Sequence, residues 1–321
     1  MREPKRRLLI PPALAIAFGI LAVSTASVFI RYAQAYAPSL VIAAYRLTLA
    51  AIVLAPLTFF RHRGELRALG RREIALTLLS GFFLALHFAT WITSLEYTTV
   101  ASSVVFVTTT PLWVALLSPY ILKEPLTRPI LIGMAFALVG GVVVGLSDSC
   151  RWEAGGLLCP SLGDFVRGQA FLGDLLALVG AWMAAGYLLI GRHLRASMSL
   201  VPYVFAVYGA AALVLIAIMY ASGQTPWGFA PAAYLWFVLL ALVPQLLGHS
   251  TFNWALGFLP AAFVSITLLG EPIGSTILAY FLLDETPAAL KIFGAILILA
   301  GIFTASQGEE RQLAGEKGLE I

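Results

Sequence analysis

The 321-residue chain is 60% hydrophobic and 11% charged, with a formal net charge of +4. A soluble domain carries roughly 25% charged residues, so this charge cannot coat a water-facing surface, and lipid is the solvent that accounts for the deficit. The basic excess does not point to nucleic acid, because the charges gather in short segments between apolar runs and not along one exposed helix.

The basic start, Met1 to Arg7, leads into an apolar run in the manner of a signal peptide. That run has a counterpart after Gly173, so it reads as a retained helix. A bilayer-spanning helix needs about 20 apolar residues. Ten such stretches occur, at about 11–30, 39–60, 73–95, 101–122, 129–147, 170–191, 201–221, 233–256, 261–283 and 288–306. Each is continuous and not alternating, which predicts helices over strands. The expected fold class is an all-α integral membrane protein of ten transmembrane helices.

The last span of the first half ends near 148. The longest connection follows, 149–169, with Gly155-Gly156 and Pro160-Ser161 as loop signals. Its cysteines, Cys150 and Cys159, are a disulfide candidate if the loop faces an oxidising exterior, with free thiols as the alternative. No histidine stands near them to suggest a metal site. The tail 307–321 is polar.

Lysine and arginine set orientation. With the N-terminus inside, inner segments carry 15 basic residues and outer segments carry 4, namely Arg31, Arg151, Arg167 and Lys291. Both termini are therefore expected in the cytoplasm, with the chain in the cytoplasmic membrane.

The sequence also repeats itself. Pro111 and Pro272 lie 161 residues apart, and the same offset carries Gly19 onto Gly180, Arg31 onto Arg192 and Leu95 onto Leu256. It further carries Glu124 onto Glu285, Gly133 onto Gly294 and Gly140 onto Gly301. A five-helix unit, 1–148, is thus written again over 170–306. Five is odd, so the second unit enters the membrane from the opposite face, as two inverted five-helix repeats with a binding site between them. Gly133 and Gly140 share one helix face, as do Gly294 and Gly301. These faces predict close helix packing, and a homodimer through them stays open.

Ionisable groups at membrane depth are costly and need a reason. Glu271 stands just before Pro272, where a lost amide donor, a kink and a carboxyl coincide. It can hold a proton, making it the proton-coupling candidate, or pair with a substrate amine. The alternative is a neutral acid bonded to a neighbouring helix. Arg46, beside Tyr45, is either a snorkelling cation or a cavity-lining one that attracts a carboxylate or phosphate. His87 and Trp91 share a face four residues apart, and Gln245, His249 and Asn253 form a second polar stripe. Trp182 and Tyr208 belong either to the cavity wall or to an interfacial belt. Thr108, Thr109 and Thr110 can satisfy carbonyls freed by Pro111. The candidate substrate-binding set is Arg46, Tyr45, His87, Trp91, Thr109, Trp182, Tyr208, His249, Asn253 and Glu271.

No phosphate-binding loop, zinc-protease motif, nucleophile elbow or dinucleotide fingerprint occurs. The sequence predicts neither an enzyme nor a cofactor.

The stretch Trp91 to Ala101, Thr109-Thr110-Pro111 through Lys123-Glu124-Pro125-Leu126, Gly270-Glu271-Pro272 through Asp284-Glu285-Thr286-Pro287, and Arg46 together resemble the EamA-type transporters of the drug/metabolite transporter superfamily. The resemblance spans about 10 to 306. It implies a central cavity lined by helices one to four and six to nine, and export or exchange of small metabolites, often amino acids, without ATP. Glu124 and Glu285 match repeated glutamates near helix ends and are expected to be structural. The second unit departs from the Trp-x-x-Ser pattern, with Phe252 and Ala255 opposite Trp91 and Ser94. The expected partners are a small-molecule substrate and the lipid bilayer. The expected function is secondary transport of an amino acid or related compound, outward in direction by the resemblance, with an importer, a nucleotide-sugar-type carrier or a non-transporting membrane sensor as alternatives.

Overall fold

The structure, a computed structural model, describes residues 11–124, 126–149, 151–153, 156–158 and 169–283, with 290, 292–294, 296–301 and 303–305. Cys150, Cys159 and Glu285 lie outside the described residues, as does the tail.

Seven described helical segments are long and apolar enough to cross a membrane: Pro12–Gln34, Ser39–Arg61, Arg71–Tyr97, Phe171–Arg195, Leu200–Ala221, Pro231–Ala255 and Ala261–Leu282. Three shorter apolar helices, Thr110–Ile121, Arg128–Gly140 and Ile292–Ala305, fall on the remaining expected stretches. The first half contains α1 (Pro12–Ser24), α2 (Ala26–Gln34), α3 (Ser39–Arg61), α4 (Arg63–Arg67), α5 (Arg71–Tyr97), α6 (Val100–Val107), α7 (Thr110–Ile121) and α8 (Arg128–Ser149). The second contains α9 (Gln169–Arg195), α10 (Leu200–Ala221), α11 (Pro231–Leu240), α12 (Ser250–Ala255), α13 (Ala261–Thr267) and α14 (Glu271–Leu283). Between them, β1 (Arg151–Glu153) and β2 (Gly156–Leu158) form an antiparallel hairpin, with Trp152 opposite Leu157. This short ribbon lies in the connecting segment, and the other described elements are helical, as the all-α fold class predicts.

Several expected helices are broken where proline dictates. The fourth stretch divides into α6 and α7, and Pro111 takes an early position in α7, where its missing N–H costs least. The carbonyl that Pro111 leaves without its amide partner, that of Val107, is met by Thr110, and the neighbouring threonines also bond their own helix. Thr108 Oγ1 donates to the Val104 carbonyl at 2.7 Å, Thr109 to Phe106 at 2.8 Å and Thr110 to Val107 at 2.7 Å. The ninth stretch divides in the same place. A 3₁₀ turn, Leu268–Gly270, separates α13 from α14, which starts at Glu271-Pro272. Thr110 and Glu271, related by the 161 offset, are thus the first residues of two matching half-helices. In the eighth stretch, Pro244 lies within a π-helical segment, Ala241–His249, where the wider winding accommodates the ring.

The core lies between the halves. α5 packs on α9 and α10, α3 on α10, α1 on the π segment and α14, and α7 on α13. Small residues set the approach. A Cβ on Gly140 would stand 2.6 Å from the Gly294 carbonyl oxygen, and one on Gly133 would stand 2.5 Å from that of Gly301. The glycine faces of the last helix of each half therefore meet each other inside the chain, in the close helix packing expected of them. The contacts are reciprocal: 133 meets 301 and 140 meets 294, as self-complementary packing about a two-fold requires. Gly19 approaches Thr251 and Phe252, while Gly180 approaches Thr90 and Trp91, each partner again displaced by 161.

Glutamates close several helix starts from a distance. Glu96 Oε1 accepts the Ser39 amide at 3.2 Å, and Glu65 Oε1 accepts that of Ser199 at 2.6 Å. Glu124 Oε1 accepts from Arg192 Nε at 2.6 Å, while its Oε2 accepts the Ala261 amide at 3.1 Å. Arg192 also donates to the Leu256 carbonyl at 2.9 Å, so this ion pair ties the end of α9 and the start of α13 to the first half. Carboxylates at helix N-termini satisfy orphan amides and complement the helix dipole.

Gly140→Val overpacks a backbone contact and is expected to cost about 1–3 kcal/mol. It should lower the thermal midpoint in detergent, whereas Gly209→Ala, with open space around its Cβ, should not. In a double-mutant cycle on unfolding, Glu124→Gln and Arg192→Gln should couple by about 1–2 kcal/mol.

Candidate functional site

Near the break points of the half-helices lies a partly open pocket. α5 supplies His87 and Trp91, and the start of α7 supplies Thr110 and Pro111. α9 adds Tyr187, and the end of the π segment with α12 adds His249, Phe252 and Asn253. Glu271 enters from the start of α14. The repeat is legible in this wall, because Trp91 and Phe252, Val107 and Leu268, and Thr110 and Glu271 are each 161 apart, and all six line it.

One side is aromatic. The His87 and Trp91 rings stack at 5.8 Å with 14° between planes, and His87 Nδ1 lies 3.0 Å from the Gly180 carbonyl oxygen. His249 lies 6.4 Å from His87 and meets the Phe88 edge at 5.3 Å. The other side is a phenol and amide network. Asn253 Nδ2 donates to Tyr187 Oη at 2.5 Å, to Tyr208 Oη at 3.3 Å and to the His249 carbonyl at 2.9 Å. Tyr208 in turn lies 3.2 Å from Ser250 Oγ.

Arg46 is fully buried one layer behind this wall. Its Nε donates to Gln245 Oε1 at 2.8 Å, and its guanidinium sits over the Phe88 ring at 4.2 Å. Among the described residues, neither Nη atom has a hydrogen-bond partner, and Glu271 Oε1 also lacks one. Both side chains are buried, and no hydrogen bond joins them. Buried charges without full partners are expensive and mark places where something else binds.

Of the predicted residues, His87, Trp91, His249, Asn253 and Glu271 come together at the cavity, and Arg46 and Tyr208 adjoin it through Gln245, Phe88 and Asn253. Three are placed elsewhere. Tyr45 donates to the Pro226 carbonyl at 2.8 Å and stacks on Phe237. Thr109 faces Trp113 Nε1 at 3.3 Å while its own hydroxyl bonds its helix. Trp182 is 40% exposed and packs edge-on against Trp113, away from the cavity. A tryptophan on a lipid-facing surface gives the same sequence signal as one in a cavity. Thr110, Phe252 and Tyr187 complete the wall without having been in the predicted set. The 161 offset applied to Glu271 and Trp91 would have reached the first two. Ser94, which continues the His87 stripe, is absorbed by the Trp91 carbonyl and Ser103 Oγ, each at 2.6 Å.

The family model described as the EamA-like transporter family matches this chain twice, over residues 10–146 and 171–307. A relative from Archaeoglobus fulgidus, named an uncharacterized transporter, is 25% identical over 272 residues, covering 83% of this chain and 88% of its own length. The Bacillus subtilis uncharacterized transporter YyaM is 24% identical over 271 residues, covering 82% of this chain and 83% of its own. A solved crystal structure aligns with a TM-score of 0.69 at 20% identity, covering 94% of this chain and 98% of that one, which speaks to the fold alone. With seven apolar helices of membrane-crossing length and a family model matched over both halves, this multi-pass membrane protein belongs to the EamA-like transporter family.

Proposed function

We propose that the protein is a secondary transporter that carries a small metabolite, an amino acid or related compound, across the cytoplasmic membrane by alternating access. The proposed frame is two inverted five-helix repeats, 1–148 and 170–306, joined by the segment 149–169 and followed by the tail 307–321, with both termini cytoplasmic. The reciprocal glycine contacts and the matched half-helices support that frame. The single observation that carries the function is the cavity between the halves, walled by residues one offset apart and backed by two buried, incompletely partnered opposite charges. Discontinuous helices around a site at the repeat interface are the construction by which carriers bind solutes and rock around them. An arginine and a glutamate in one core suit a zwitterion, whose two ends cancel what the protein leaves open. The sequence has no phosphate-binding loop, so a gradient supplies the energy, and Glu271 is the group proposed to take a coupling proton. The export direction rests on the family resemblance.

Reconstituted protein should take up one or a few members of a labelled amino-acid pool by counterflow, and a pH gradient should change the rate. Glu271→Gln should remove that gradient effect. Folded protein that takes up none of the pool would overturn the substrate class. In the same assay, Arg46→Met should slow uptake by about tenfold or more, a loss equivalent to about 1.4 kcal/mol. Tyr45→Phe and Trp182→Phe, both outside the cavity wall, should leave it nearly unchanged.

A further inference from the structure

The orientation of the Asn253 amide is fixed by one of its neighbours. Its Nδ2 lies near two phenol oxygens, Tyr187 at 2.5 Å and Tyr208 at 3.3 Å, and a phenol can donate or accept. The third neighbour, the His249 carbonyl at 2.9 Å, can only accept. The nitrogen must face it, so the side-chain oxygen is left as the free end. That oxygen is buried, has no hydrogen-bond partner among the described residues, and belongs to a side chain of the cavity wall. Glu271 Oε1 is a second unpartnered acceptor in the same wall, on a side chain only 9% exposed. Trp91 contributes an unpartnered donor, Nε1, on a side chain 2% exposed. Beyond these, Val107, Pro111, Leu188, Phe252 and Leu268 are apolar, while the hydroxyls of Thr108 and Thr110 and the Nδ1 of His87 are already engaged within the protein.

From these three open atoms we infer that Asn253 Oδ1 and Glu271 Oε1 form an ammonium-reading subsite, that Trp91 Nε1 reads the substrate's carboxylate or carbonyl, and that the substrate's side chain is apolar. Two buried acceptors call for a group with several donors, and a primary ammonium has three. The lone indole donor calls for one acceptor. A buried polar group left unmet costs about 1–3 kcal/mol, so a ligand lacking the matching group leaves that cost in place. Sites built to hydrogen-bond a substrate group discriminate strongly against its absence for this reason. Arg46 then acts from behind Phe88 as a fixed positive charge and not as a direct contact. This inference rests on the transporter reading for its biological setting, but the binding site it describes can be tested without flux.

The test uses purified full-length protein in detergent and three probes with the same branched apolar tail: leucine, 3-methylbutylamine and 4-methylpentanoate. Ligand that binds the folded state raises the thermal midpoint in a saturable way. Leucine and 3-methylbutylamine should stabilise the wild type, and 4-methylpentanoate should not. Asn253→Leu and Glu271→Gln should each weaken apparent affinity for both amines by about tenfold or more. Trp91→Phe should weaken leucine while leaving 3-methylbutylamine nearly unchanged. The inference is overturned if 4-methylpentanoate binds as well as the amines, if none of the three stabilises the wild type, or if folded Glu271→Gln keeps full affinity for both amines. Counterflow of leucine separates the two ideas. Amine binding without counterflow keeps the subsite and removes the transporter reading, and counterflow of other solutes without amine binding does the reverse.

Discussion

Hydrocarbon offers no hydrogen bonds, so every polar group at membrane depth must find its partner within the protein. Much of the architecture follows from that constraint. The backbone is helical wherever it can be. Where proline interrupts it, Thr110 takes the Val107 carbonyl left by Pro111, and Thr108, Ser265 and Thr267 close their hydroxyls onto carbonyls of their own helices. The costliest side chains, Arg46, His87, His249, Asn253 and Glu271, are gathered between the two halves, where each has at least one neighbour able to share its charge or its hydrogen bonds. Among the described residues, Trp91, Asn253 and Glu271 in the cavity wall keep unmet polar atoms, as do Arg46 and Gln245 behind it, while Thr77, Ser118, Thr127 and Gln224 do so elsewhere.

The same constraint explains why the halves are one body. Lipid does not drive apolar surfaces together as water does, and close backbone approach supplies the attraction. Gly133 against Gly301 and Gly140 against Gly294 bring two helices to backbone contact, and Gly19 and Gly180 admit the side chains at 251–252 and 90–91. The core formed between the halves is thus also the wall of the site.

The fold was readable because its signals are periodic and long. Apolar runs of bilayer length, a constant offset of 161 and prolines at matching places each leave a mark that no single substitution erases. The site was readable only in part. Polar residues at membrane depth stand out against an apolar background, which found His87, His249, Asn253 and Glu271. Aromatic residues do not, because Trp91 and Trp182 look alike in sequence while one is buried in the wall and the other faces outward. Arg46 was found, but its seat behind Phe88 depends on Gln245, and no spacing rule joins residues 46 and 245. The π segment was also hidden, since a proline in an apolar run announces a disturbance and not its form.

The borrowed helix caps have a consequence for assembly. Ser39, Ser199 and Ala261 start their helices with amides closed by glutamates from elsewhere in the chain, 57, 134 and 137 residues away. The first of these closures lies within the first half and is available once that half is in the bilayer. The other two join the halves, so the helix starts at Ser199 and Ala261 stay open until the second half docks. Each of these two helix ends is therefore completed by the other half of the chain and not by its own, so the fold of the second half is finished only in contact with the first.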